Sequence, residues 1–364
     1  MDIRKHRKVF YAFVIIFSLY FGYSLTPKSP NLDSFRIIEL FQSWDSIFPS
    51  ITDFIHEFVK FDNPYVKDLF EGLIFFLVHS FSENYHFIFL CCAFVFSFYK
   101  LKVFDYFLRD YKYDSLHIIL TIFFFASIPL FEINGFRFFT ASWVALFATL
   151  RIIVDNNKRY LYLLALTPLI HITFLFYLLT FVLSYAASKK INERIIAFMF
   201  IVSVIVSMLW NTLPNIGNMG DSVFGHLLSS YINNDYKAEI DTAVQESHFI
   251  KLFSPLRYLY YNIIALILYS NCKDSEQKKF MTFLLACLSI ANVVGFIPSM
   301  SRFFAVLTPL ILIQFNKVVN YNKKIRLLVY LLPLVEMFRI YQIYFDLYPE
   351  VLPNGFLTNI LLIK

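Results

Sequence analysis

Long apolar runs separated by short polar turns dominate the chain, and their lengths predict its elements before any single residue is considered. A bilayer core about 30 Å thick needs roughly 17–25 apolar residues in one helix. Runs of that length occur near 9–25, 84–101, 115–133, 136–154, 194–213, 254–272, 280–298, 302–319 and 326–345. Two segments do not fit that ruler. Residues 68–81 (DLFEGLIFFLVHSF) are too few to cross, and 160–188 are too many for one straight helix and carry Pro168 in their middle. Proline removes a helical hydrogen bond and clashes with the preceding turn, so 160–188 reads as a broken pair of helices that enters the membrane and returns. The expected fold class is all-α. It is a polytopic integral membrane protein of about ten spans, counting the broken, re-entrant pair, in a single transmembrane domain over 1–364.

Charge sets an orientation on this pattern. Only 16% of residues are charged, 58% are hydrophobic and the mean hydropathy is +0.60, against about a quarter charged in a soluble domain. The net charge of +6 does not point to nucleic acid, because the Lys and Arg residues sit in short clusters between apolar runs, where membrane orientation accounts for them. Put the N-terminus in the cytoplasm, lay 68–81 at the outer surface, and let 160–188 return. Twenty of the 32 basic residues then fall on the cytoplasmic side, in clusters at Arg4–Lys8, Lys100–Lys112, Lys158–Arg159, Lys189–Arg194, Lys273–Lys279 and Lys317–Arg326. Residues 26–83 and 214–253 face outward; both are too small for a stable domain and are expected to pack over the bundle. The opening MDIRKHRKVFYAFVIIFSLYFGYSL imitates a signal peptide, but no A-x-A site follows, so it reads as an uncleaved first span. Cys91, Cys92, Cys272 and Cys287 show no metal-binding spacing and read as small core residues; neither a metal nor a cofactor is expected.

Against this orientation two arginines are out of place. Arg137 (EINGFRFFTA) and Arg302 (PSMSRFFAVL) each stand at the outer end of a span, just after a tight turn. A lone arginine there can snorkel to the headgroups. Two at one depth, each at a helix N-terminus, join guanidinium donors to helix N–H groups, a combination that suits phosphate oxygens. The expectation is a shared anion site at the outer surface. His171, three residues after Pro168, lies at the break. An ionisable side chain there is a functional candidate, and imidazole titrates near neutrality.

Other polar residues have plainer readings. Asp33 and Arg36 stand one turn apart in NLDSFRIIELF and read equally as a solvated pair. Arg257, beside Tyr258, Tyr260 and Tyr261, is either an aromatic-belt residue or a sugar contact, and Glu336 and Arg339 are expected to pair with each other. Asp62 or Asn63, ahead of Pro64 and Tyr65, is the expected cap of a helix over 68–81 that roofs a cavity. Tyr231 and Tyr236 offer rings on which sugars stack.

Taken in order, Asn134-x-Phe136-Arg137-x-x-Thr140-Ala141, then Lys158, then His171 resembles the EpsG-like branch of the Wzy polymerases. The corresponding family stretch reads roughly N-x-I-R-Q-x-L-A, so Phe138 stands in place of Gln and Thr140 in place of an aliphatic residue. The Asp33 region, DNPYVKDLF and Arg302 before FFAVL are also similar. The resemblance implies a glycosyltransferase of GT-C-like architecture in the bacterial inner membrane, with its active site facing the periplasm. It would join oligosaccharide repeat units carried on undecaprenyl diphosphate, serving O-antigen, lipopolysaccharide or exopolysaccharide biosynthesis. Arg137 and Arg302 would then contact the diphosphate, Asn134 would position sugar or phosphate, and His171 or Asp33 would activate the acceptor hydroxyl. The implied partners are the lipid-linked donor and acceptor, membrane lipid and a chain-length regulator. An O-antigen ligase shares the donor and differs in its acceptor. A lipid-linked oligosaccharide flippase would carry internal repeats, of which the sequence has none.

Overall fold

The computed structural model describes residues 3–28, 30, 32–60, 68–210, 248–295 and 298–342. It is all-helical, with no strand among the described residues. Among the described residues, four stretches are long and apolar enough to cross a membrane: His86–Arg109, Ser115–Ile153, Ser275–Val294 and Arg302–Val319. The chain divides into two compact units, one of residues 1–113, 128–178 and 339–364, the other of 114–127 and 179–338.

The first unit begins with α1 (Arg7–Tyr23), which packs along α6 (His86–Arg109). Gly22 permits the approach: a Cβ there would stand 2.5 Å from the carbonyl oxygen of Phe89. Arg7 secures the start of α1, 2.5 Å from Asp105 on α6. Between them lie α2 (Asp33–Gln42), α3 (Trp44–Ile47), α4 (Ile51–Lys60) and α5 (Leu69–His79). They close on an aromatic cluster in which Trp44 meets Phe75 edge-on at 4.8 Å and Phe54 at 5.4 Å. Gly72 on α5 lies flat against the Phe54 ring, where a side chain would not fit. At 11 residues, α5 is roughly 16 Å long, short of a bilayer core as its sequence predicted. The expected caps Asp62 and Asn63 lie outside the described residues, as do Pro64 and Tyr65; the N-cap position belongs to Asp68.

The centre of the first unit is α8 (Phe136–Ile153), buried along most of its length. It is entered by a 3₁₀ turn, Leu130–Gly135, that follows Pro129. Here one expectation is overturned. Lys100 is not a surface residue of a cytoplasmic cluster: it is 1% exposed, its Nζ donates to the Ile128 carbonyl at 2.7 Å and it lies over the rings of Phe96 and Trp143. Helix α7 ends at Ser127, so the Ile128 carbonyl lies past its ladder and needs a donor, which the buried lysine supplies.

The segment after α8 is broken as expected, but twice. It runs as α9 (Leu161–Ala165), α10 (Thr167–Ile170) and α11 (Phe174–Lys190), with His171 extended (φ −156°, ψ 121°) between the last two. Pro168 sits in the first turn of α10, where proline is tolerated, so it marks where a new helix starts. The second break falls three residues later, at His171.

The second unit contains α7 (Ser115–Ser127), α12 (Glu193–Trp210), α13 (His248–Ser270), α14 (Ser275–Val294), α15 (Pro298–Val319), α16 (Lys323–Val329) and α17 (Leu332–Gln342). The apolar run 326–345, expected as one span, is two helices. Their junction falls at Tyr330 and Leu331: Pro333, in the first turn of α17, lacks the N–H that would bond the Val329 carbonyl four residues back, and α16 ends at Val329. A buried polar seam joins α12, α13 and α14, where the Asn292 Nδ2 donates to Ser203 Oγ (3.2 Å) and Asn262 Oδ1 (3.1 Å). Amides shielded from water satisfy one another in this way. The four cysteines are free, Cys92 and Cys287 buried and Cys91 and Cys272 partly so.

Candidate functional site

The site forms in the first unit around the start of α8. Helix α2 begins with Leu32 at its N-cap, a residue with no side-chain acceptor for the first-turn N–H groups. Asn134, one hundred residues away on the 3₁₀ turn, supplies that acceptor: its Oδ1 takes hydrogen bonds from the Ser34 N–H (3.3 Å) and the Ser34 hydroxyl. The long-range cap fixes α2 over Gly135. A Cβ at Gly135 would lie 3.6 Å from Asp33 Oδ2, and the Asp33 carboxylate acts electrostatically on Arg137.

Arg137, in the first turn of α8, faces two acids of α5 and its cap. Its Nη1 is 2.8 Å from Glu71 Oε2 and 3.3 Å from Asp68 Oδ2. The acids are deeply shielded, their side chains 4% and 2% exposed, while the arginine is 19% exposed. Buried carboxylates are costly unless paired, which explains why α5 turns both toward α8. All of these contacts fall on Nη1.

The other oxygen of Asp68 reaches the broken segment, where Oδ1 accepts the Ile172 N–H at 3.0 Å. Beside it, the His171 ring meets Phe138 edge-on at 5.5 Å. His171 Nδ1 lies 3.3 Å from the Thr173 backbone N–H and 2.8 Å from the Thr173 hydroxyl. A backbone N–H can only donate, so Nδ1 is an acceptor and the neutral ring carries its proton on Nε2. His171 in this state offers a donor. Asp33, whose carboxylate offers oxygens that accept, is the better proton acceptor of the two.

The fold thus brings together Asp33, Asn134, Arg137 and His171 from three separate stretches, and adds Asp68 and Glu71, which sequence reasoning missed. Their signal was available. Two acids three apart opened an apolar run too short to cross, and an apolar surrounding demands a cation for each of them.

The remaining sequence candidates stand on other elements. Arg36 is exposed on α2; its Nε donates to the Pro30 carbonyl at 3.4 Å, and among the described residues it forms no ion pair with Asp33. Arg302 is exposed on α15 and belongs to the second unit. Arg257, also in that unit, is 2.9 Å from Glu336 Oε1, which accepts the Tyr261 hydroxyl as well at 2.6 Å. The partner expected for Glu336, Arg339, has a side chain outside the described residues, as do Tyr231 and Tyr236 in full. No group of three His, Cys, Asp or Glu among the described residues is placed to hold a metal ion.

A family model described as the EpsG family matches residues 46–353. No curated protein and no solved structure matches the chain.

Proposed function

The chain belongs to the EpsG family, and from that premise we propose that it is a polysaccharide polymerase of GT-C-like architecture and about ten spans. It acts in the bacterial inner membrane, joining undecaprenyl-diphosphate-linked oligosaccharide repeat units at the periplasmic face. The observation that supports this most is the convergence of an acceptor-only carboxylate, Asp33, with three donors, Arg137, Asn134 and His171, around one patch of the first unit. Glycosyl transfer needs those two kinds of group side by side.

In the proposed reaction the acceptor hydroxyl oxygen bonds to the anomeric carbon of the donor, its proton passes to Asp33, and the bond from that carbon to the diphosphate oxygen breaks. The charge growing on the leaving diphosphate is met by the Arg137 guanidinium, with Asn134 and His171 Nε2 as neutral donors. Glu71 and Asp68 hold the Arg137 guanidinium in one orientation. Their negative charge also weakens its grip on a product diphosphate, which favours release. Arg36 is the proposed sugar contact. Arg257, tied to Glu336, is assigned to structure in place of substrate binding.

The test is a gel profile of surface polysaccharide in a deletion strain carrying the wild-type gene, Arg137→Lys or Arg137→Ala. Each variant should insert normally and leave single repeat units in place of long polymer, a loss of about 10²–10³-fold in turnover. Polymer of normal length in both variants removes the anion site. Loss of all surface sugar, single units included, argues for a flippase or a ligase.

A further inference from the structure

An aspartate at a helix N-cap ordinarily bonds the N–H groups of its own first turn. Asp68 holds the N-cap of α5 and makes no such bond. Its two oxygens go to two other elements instead, Oδ2 to Arg137 Nη1 at 3.3 Å on α8 and Oδ1 to the Ile172 N–H at 3.0 Å in the break between α10 and α11. The Ile172 N–H is one of the backbone donors that a broken helix leaves over, and it adjoins His171. The residue is 3% exposed, and a carboxylate taken that far from water, when it forgoes its own helix, is held by what it bridges.

We propose that Asp68 is a positioning residue for glycosyl transfer, setting the Arg137 guanidinium and the His171 break in one register so that both meet the same leaving diphosphate. The inference rests on the polymerase reading above. Glu71, one turn on, reaches the same Arg137 nitrogen at 2.8 Å, so the arginine keeps one acid when Asp68 is changed. A displacement of about 1 Å in either donor is enough to cost about a hundredfold in rate.

The closing experiment has two arms on the full-length chain in lipid nanodiscs. In the kinetic arm the probe is lipid-linked repeat units extracted from a strain deleted for this gene. Asp68→Asn, which matches aspartate in shape, should lower kcat at least about tenfold with KM changed less than about threefold. Combined with Arg137→Ala, it should cost nothing beyond Arg137→Ala alone, because its effect passes through the arginine. Multiplying losses, or an unchanged kcat, would overturn the proposal. The second arm is hydrogen exchange, which needs no activity. Asp68→Ala should speed exchange in the peptide containing Ile172 by about tenfold or more while the α8 peptides stay protected, and Asp68→Asn, which keeps an acceptor oxygen, should restore protection without restoring turnover. Equal protection of Ile172 in all forms would also overturn it. A wild-type chain that leaves the extracted units unjoined defeats the polymerase reading and with it the catalytic role of Asp68, while the exchange arm still reports whether Asp68 holds the break.

Discussion

Arg137 in the first unit and Arg257 in the second are equally shielded, each 19% exposed, and each faces a buried glutamate, Glu71 at 4% and Glu336 at 2%. Their surroundings differ. Around Arg137 stand Asp68, Asp33, Asn134 and the His171 break, groups that donate, accept or carry protons, and the contacts of Arg137 to its acids use a single nitrogen. Around Arg257 stand tyrosines: Tyr261 lies under the guanidinium at 5.6 Å and donates to the same glutamate oxygen. That pair joins α13 to α17, and nothing that handles protons near neutrality is recorded against it among the described residues. A buried arginine is therefore ambiguous by itself. Its company decides whether it serves chemistry or cohesion.

The comparison can be broken at three points. The largest effect is expected at Asp33, where Asp33→Asn should lower turnover of extracted lipid-linked units by about 10²–10⁴-fold, the range for a lost general base. Thermal unfolding should stay within about 0.5 kcal/mol of wild type, since the carboxylate is partly exposed. Near-normal turnover in this variant would move the base elsewhere. Next, Arg257→Ala should take the cation from buried Glu336 and cost about 3–5 kcal/mol of stability, read as a lower Tm, while the fraction that folds still makes long polymer. If polymer disappears at an unchanged Tm, Arg257 belongs with the chemistry and the contrast fails.

The smallest effect belongs to a third arginine cluster, just past the end of α8. Burial tends to raise the Asp155 carboxyl, but hydrogen bonds from Tyr106, Arg109 and Arg151 outweigh it and hold the group below its ordinary value. A carboxyl lowered on folding contributes stability above the unfolded value of about 3.9 and loses it as the pH falls through the folded value. The Tm difference between wild type and Asp155→Asn should be full at neutral pH and close below about pH 4. A difference that persists in acid would mean the cluster works through packing and not through charge.

Much of this could be read along the chain. The bounds of α8 follow its apolar run to within a residue and the end of α15 falls where its run does, while α6 continues eight residues past its run; Pro168 in an overlong segment signals the first break, and the second, at His171, follows three residues on. Arg137 and His171 stand out as ionisable residues at odds with their surroundings, whereas Asp33 reads equally as a solvated partner of Arg36 and Asn134 gains a role only through the family resemblance; the fold gathers all four. The partners were not legible. Glu71 lies 66 residues before Arg137, and Glu336 lies 79 after Arg257. Lys100 was misplaced for the same reason, because a lysine among other basic residues looks solvated until the Ile128 carbonyl is found beside it.

The sequence by itself determined that the chain is helical, where its helices run and which polar residues sit in apolar company. Those features answer to a local ruler, the number of apolar residues a bilayer requires. Only the tertiary structure decided which acid meets which arginine, that Asn134 caps α2 and that Asp68 bridges α8 to the broken segment. Burial makes an unpaired charge or a bare N–H too costly to leave, but the partner is chosen by packing between distant segments, and no spacing along the chain records that choice.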